Sequence, residues 1–232
     1  MDAPTDGLAV KYLCKVFSEK SHAEAFVSGN VIIRTLESFQ NTLDPGRRDR
    51  HEGLCGIFQP ERSTLVINGR SLDPADLAGP ILVSRHMHAH LYVLCMYAGV
   101  IEKNATLSQE QFESRLRLNP ASQCFGKWVV FLSKPQEFIG RLTVAAEQAG
   151  VRLKSRGLVQ YYDPQKADGV FRDDLVPFMK DSRFSKQNEY RCVFEAQSSL
   201  GPSVALTTQD MCDIAHCLSC TEFNSSLRCP PR

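Results

Sequence analysis

The sequence predicts one α+β domain, a mixed or split β-sheet flanked by a few helices. Short apolar runs with period-two alternation recur from Leu8 to Leu206, the mark of many strands. One stretch only, from Phe138 to Ala149, sustains a long helical period, with Phe138, Leu142, Ala145, Ala146 and Ala149 on one face. No proline- or serine-rich linker divides the chain, so residues 1–222 are read as one domain and 223–232 as a mobile tail. The segment from Lys103 to Cys124 is the one place where two lobes could part.

Composition narrows the classes. A chain of 232 residues, 43% hydrophobic and 23% charged, can bury a sizeable core. Its net charge of +1 gives no global field for nucleic acid or an anionic membrane, and Arg47 to Arg50 is too short a basic run to replace one. The longest apolar run, Leu91 to Val100, falls far short of the roughly 20 residues of a membrane-spanning helix. The start, Met1 to Gly7, has neither a basic segment nor an apolar core, so a cytoplasmic protein is expected.

In chain order, Leu8 to Cys14 reads as a strand, Ser18 to Ser28 as a short helix stopped at Gly29, and Val31 to Arg34 as a second strand. Residues 35–56 are rich in turn and charged residues. Ser63 to Ile67 runs into Asn68-Gly69, a strong hairpin signal. Ile81 to Ser84 and Leu91 to Tyr97 are apolar enough for central strands. His86, His88 and His90 between them would share one face of an extended backbone, an arrangement that can hold a metal, but no nearby carboxylate or cysteine completes a ligand set, so a polar strand face or turn is expected. Ser108 to Leu118 patterns as a surface helix and Trp128 to Leu132 as a buried strand. Ser133-Lys-Pro-Gln136 reads as a capping box opening the long helix. Leu158 to Tyr162 is a strand, Val204 to Leu206 an edge strand, and Thr208 to Cys217 a short helix.

The nine cysteines are scattered, and Cys14, Cys95, Cys124 and Cys192 fall in apparent strands, which suits reduced, buried thiols. Cys212, His216, Cys217, Cys220 and Cys229 cluster near the end, but Cys217/Cys220 lacks the second pair of a closed zinc site, so no metal ligand is assigned.

The stretch Asp181 to Glu195 carries the functional signal. It opens as a polar loop and turns at Glu189 into a strand, with Tyr190, Cys192 and Phe194 alternating with Arg191, Val193 and Glu195. One carboxylate thus stands where a loop enters a strand, a frequent position for chemistry and equally that of a solvated glutamate.

Gln187-Asn188-Glu189 resembles the Gln/Glu-x-Glu of the catalytic strand of ADP-ribosyltransferases, and Asn188-Glu189-Tyr190 the Asn-Glu-Tyr of poly(ADP-ribose) polymerases. The strand–helix–glycine–strand opening is similar to that family's first βαβ segment. The chain also resembles uncharacterised bacterial and phage proteins with an Arg-x-Asp-x-x-Glu-Gly-like loop, here Arg48-Asp49 and Glu52-Gly53, and a Phe-x-Lys then Glu-Tyr-Arg segment. The resemblance implies an ADP-ribosyltransferase-like fold, NAD as cofactor, and a place among toxins or defence and anti-defence factors. It implies that Glu189 stabilises an oxocarbenium-like ribose while Gln187 orients an acceptor or water. Tyr12 would then stack on nicotinamide, and Lys11 or Arg34 would hold phosphate. Arg48, Asp49, Glu52 and Arg191 complete the nucleotide set, although the loop arginines and carboxylates could equally lock into a structural ion pair.

Neither the arginine of one branch nor the His-Gly of the other stands at the end of strand one, which favours nucleotide binding without turnover. A third class is an interaction protein that binds a host protein through exposed strands and the cysteine-rich tail. No Gly-x-Ser-x-Gly elbow, phosphate loop or dinucleotide glycine fingerprint is present. The nucleotide readings require Glu189, Tyr12 and the 48–52 loop to converge on one cleft. The acceptor, whether protein, nucleic acid, small molecule or water, is open.

Overall fold

A computed structural model of the chain describes residues 7–43, 48–123 and 125–227. Chain order runs β1 (Leu8–Phe17), α1 (Lys20–Val27), β2 (Asn30–Thr35), β3 (Tyr92–Glu102), α2 (Gln109–Leu116) and β4 (Trp128–Leu132). It continues through α3 (Pro135–Gln148), β5 (Val151–Leu158), β6 (Glu189–Ala196), β7 (Ser203–Thr207), β8 (Ala215–Ser219) and α4 (Cys220–Ser226). Among the described residues the eight strands form one main sheet, and every pairing in it is antiparallel. The parallel component allowed by a mixed sheet is confined to a short separate pair, Gln160–Tyr162 with Met179–Asp181. No helix of the described residues is long and apolar enough to cross a membrane.

The sheet is forked at β3. On one edge β3 carries β6 from Tyr97 to Tyr92. On the other edge β1 pairs with Tyr97 to Glu102, whereas β2 reaches only Val93 and Tyr92. Residues 94–96 of β3 therefore face a gap between β1 and β2, with β4 and β8 continuing one prong and β7 the other. Lys15 reaches into the gap, its Nζ donating to the Cys95 carbonyl oxygen at 2.9 Å. A backbone acceptor that would otherwise lack a strand partner is satisfied this way.

The prongs are set by their connection. Gly29 turns α1 into β2 at φ 98°, and a Cβ there would stand 2.5 Å from the Thr208 carbonyl oxygen, so a residue without a side chain is required. One face of the sheet packs Leu94, Met96, Tyr190, Cys192 and Phe194 with the α3 stripe Phe138, Ile139, Leu142, Ala145 and Ala146, and with Ala23 and Phe26 of α1. The other face carries a smaller cluster of Leu36, Leu91, Val93, Phe178 and Val193.

Several expectations change for identifiable reasons. Ile81–Ser84 is the outer strand of a small three-stranded sheet with Leu54–Phe58 and Gly169–Val170, not a central strand, and Leu82 and Val83 are exposed. His86–Ala89 is a helical turn, so the three histidines do not share one extended face. The Ser133 capping box does not form, because α3 begins one residue later, with Lys134 at its N-cap and Pro135 in the first turn, and the Ser133 hydroxyl donates instead to the Ile214 carbonyl oxygen at 3.0 Å. The expected 208–217 helix does not form: residues 208–214 are irregular or turn, and Ala215–Ser219 is β8, recruited by pairing with β4. The domain also continues past 222. Phe223 is 3% exposed against Tyr12 and Phe131, and Asn224 exchanges hydrogen bonds with the Leu118 backbone. Cys124, Cys229 and the last residues of the expected tail lie outside the described residues.

Candidate functional site

The connection into β6 fixes the site. Met179–Asp181 is a three-residue strand, and Asp181 caps the following 3-10 turn, Ser182–Gln187, by accepting from the Arg183 amide at 2.9 Å. Asn188 then adopts a left-handed conformation, φ 40°, which asparagine tolerates better than most residues. Its carbonyl accepts from the Ala98 amide at 2.8 Å, which docks the turn on β3. The Glu189 amide donates to the Tyr161 hydroxyl at 3.0 Å. Glu189 begins β6 opposite Tyr97, with its side chain buried.

Four charged side chains meet there away from water. Lys180 Nζ donates to Glu189 Oε2 at 2.7 Å and to Gln187 Oε1 at 3.1 Å, and stands 3.8 Å from Glu52 Oε2. Arg191 donates from Nε to Glu189 Oε1 at 2.6 Å, and from Nη1 and Nη2 to the two Glu52 oxygens at 2.6 and 3.0 Å. Its Nη1 also reaches the Pro177 carbonyl oxygen at 2.6 Å. Two carboxylates and two cations cancel, so the quartet is electrically neutral.

Burial alone would raise the Glu189 carboxyl, but Arg191 and Lys180 outweigh it and hold the group well below the usual carboxylate range. Burial likewise pulls Lys180 down, and the Glu189 and Glu52 carboxylates more than reverse it, leaving the ammonium raised. Burial pushes the neighbouring Cys95 thiol up, and Glu189 adds to the shift, so Cys95 is no thiolate nucleophile. The arrangement presents a fixed anion and a fixed cation, and neither is poised to exchange protons near neutral pH.

A cleft of about 670 Å³ opens at the fork. Lys15, Arg34, Lys180 and His22 line it, as do Gln187 and Glu189, the hydroxyls of Ser38 and Thr42, and the rings of Phe17, Phe39 and Phe125. Its volume lies within the range of small-molecule sites. A ring-bearing, anionic ligand is the chemistry these walls suit: apolar faces for a base, ammonium and guanidinium groups for phosphate.

The residues singled out in the sequence divide. Glu189, Gln187, Glu52 and Arg191 come together in the network, and Arg34 lines the cleft wall. Tyr12 does not reach the cleft. It is 4% exposed, packs among Tyr97, Phe131 and Phe223, and its hydroxyl donates to the Leu116 carbonyl oxygen. Lys11 is exposed at a bulge in β1, also off the cleft. Arg48 is exposed and donates to the Gln40 carbonyl oxygen at 3.3 Å rather than lining the cleft. Asp49 is buried beside the network: Oδ1 accepts from the His51 amide at 2.9 Å and lies 3.7 Å from Arg183 Nη2. Its Oδ2 has no hydrogen-bond partner among the described residues. Of these, only Glu189 stands on the cleft: Tyr12 and Arg48 lie away from it, and Glu52 joins the ion-pair network without lining the cleft, so the convergence expected from the sequence is not met.

Lys180 and Lys15 are functional-site residues that the sequence reading does not single out. Phe178-Met179-Lys180 carries a signal, a lysine that closes an apolar run ahead of the Glu-Tyr-Arg segment. Nothing in the sequence marks Lys15, whose position depends on the fork. Compared with known proteins, the chain matches no protein-family model, no curated protein and no solved structure.

Proposed function

We propose that the protein binds an NAD-class nucleotide in the cleft at the fork of the sheet and holds it without rapid turnover. The observation that carries this reading is the cleft wall, where Lys15 and Arg34 offer cationic groups beside apolar rings, a set that stands in place of the Tyr12 and 48–52 contacts expected from the sequence. Glu189 is ion-paired at both oxygens, which spends its charge on Arg191 and Lys180 rather than on a ligand. The missing strand-one motif and the removal of Tyr12 from the cleft both weigh against an assembled catalytic site.

A second reading is favoured by a different observation: Glu189 and Gln187 both line the cleft, at the start of a central strand. Each carboxylate oxygen keeps a further lone pair after its bond to a cation. A ribose hydroxyl could use one, and the carboxylate would then stabilise an oxocarbenium-like state as the nicotinamide–ribose bond breaks. ADP-ribose would pass to an acceptor or to water, the activity that the resemblance to ADP-ribosyltransferases implies.

One experiment tests both. NAD is titrated into the full chain by calorimetry, and nicotinamide release is followed by chromatography in the same samples. Saturable binding without release is the expected outcome. Binding with release moves the conclusion to the enzyme, and absence of both removes the nucleotide reading.

A further inference from the structure

We propose that His86 and His90 form a two-imidazole site for a late first-row divalent cation, of the Ni2+, Cu2+ and Zn2+ class. The helical turn His86–Ala89, closed by His90, puts these two side chains at the i and i+4 spacing that shares one helix face. Paired histidines at that spacing are a recurrent metal-binding arrangement on helices. Their Nε2 atoms stand 2.8 Å apart, with ring centroids at 4.2 Å and ring planes at 88°. Two nitrogens bound to one tetrahedral ion, with bonds of about 2.0–2.1 Å, are roughly 3.3 Å apart. The rings therefore need to separate by only about half an ångström to admit the ion.

Without a metal, one Nε2 must donate its hydrogen to the other. On binding, the donor ring moves that proton to Nδ1, so both Nε2 lone pairs face the ion and no net proton leaves a pair of neutral imidazoles.

The turn is held from behind, which limits the ordering that binding must supply. His88 faces away from the pair and is buried, with Nδ1 3.2 Å from Cys55 Sγ. The His88 amide donates to the Arg85 carbonyl oxygen at 3.0 Å, and the Leu91 amide to the His88 carbonyl oxygen at 3.2 Å. Arg85 is anchored in turn by both oxygens of Asp173, at 2.6 and 2.8 Å. Among the described residues no third histidine, cysteine or carboxylate joins the pair, so the remaining coordination positions open to water. Imidazole suits Ni2+, Cu2+ and Zn2+, whereas oxygen ligands would be needed for Mg2+ or Ca2+.

The test is calorimetric titration of Ni2+ into the full chain near neutral pH, with His86→Ala, His90→Ala and Cys217→Ser compared with wild type. The expected result is one saturable site in wild type, affinity at least tenfold weaker in either histidine variant, and no change in Cys217→Ser. Mg2+ in place of Ni2+ should show no saturable heat. His86 and His90 are both exposed, so their replacement leaves packing intact, which circular dichroism checks. The proposal fails if wild type shows no saturable site. It fails equally if affinity survives both histidine variants or is lost in Cys217→Ser, which would place the ion on the cysteines.

Discussion

Arg191 grips both oxygens of Glu52, at 2.6 and 3.0 Å, with the two side chains each 1% exposed. The contact joins the loop ahead of Leu54–Phe58 to the central strand β6, residues 139 positions apart in sequence. Removing one partner of such a pair leaves the other charged and dry, which typically costs about 3–5 kcal/mol. Glu52→Gln should therefore lower the urea midpoint strongly. Pairing it with Arg191→Met should restore part of the loss, because the stranded charge is gone. A Glu52→Gln protein that unfolds at the wild-type urea concentration would show that Arg191 is compensated elsewhere.

The same network predicts the acid behaviour. Glu189 is held below its ordinary value in the folded state, so between those two values the unfolded chain binds more protons. Its contribution to stability is fully present well above the ordinary glutamate value, about 4.3, and declines as pH falls below it. Urea unfolding of wild type at successive pH values should show this decline. Glu189→Gln should flatten it and start from a lower plateau. Parallel acid limbs in the two proteins would mean that other carboxylates set the slope.

Phe223 lies beyond the boundary drawn from sequence, yet it packs edge-on to Tyr12 with ring centroids 5.4 Å apart. Replacing such a buried phenylalanine with alanine generally costs about 3–5 kcal/mol. Phe223→Ala, or truncation after Glu222, should lower the melting temperature by several degrees. If truncation leaves the melt unchanged, α4 is dispensable and the domain does end at 222.

How much was legible follows from what each feature depends on. The β1–α1–β2 opening, the hairpin at Asn68-Gly69 and the apolar stripe of α3 depend on local pattern, and each forms close to its expected position. Tyr12 was misplaced by one residue of geometry. A bulge between Val10 and Tyr12 shifts the alternation, so Leu8, Val10 and Leu13 face the larger core cluster while Tyr12 turns to the opposite side. Lys180 sits in a strand of three residues, too short to show a period. The fork depends on which parts of β1 and β2 reach β3, a long-range relation that no local window contains. The histidine turn is likewise fixed by tertiary contacts of His88 and Arg85 rather than by its own propensity.

Two arginines separate the cleft from its surroundings. Arg34 lines the cleft, whereas Arg48 is tied to the Gln40 carbonyl oxygen outside it. Arg34→Ala should weaken NAD binding by roughly tenfold, the loss of one charge-assisted contact of about 1.5 kcal/mol. Arg48→Ala should leave the affinity unchanged. The reverse ordering, measured by calorimetry at fixed ionic strength, would move the phosphate site from the fork to the 48–52 loop.

Glu189→Gln distinguishes holding the nucleotide from cleaving it. In the neutral quartet, removing one carboxylate charge leaves Lys180 and Arg191 opposed by Glu52 alone, and Lys180 lines the cleft. A cleft that has gained a positive charge attracts an anionic ligand more strongly, and more so at low salt. If the protein only holds NAD, the variant should bind it several-fold tighter, melt at lower temperature, and release no nicotinamide, as in wild type. If Glu189 acts on the ribose, its charge matters chiefly in the transition state. Turnover would then fall about a hundredfold, the usual consequence of losing one such contact worth roughly 3 kcal/mol, while affinity stayed near the wild-type value. Tighter binding without turnover supports sequestration. Unchanged binding with lost turnover assigns Glu189 to catalysis, and a variant that matches wild type in affinity and stability contradicts the ion-pair geometry on which both readings depend.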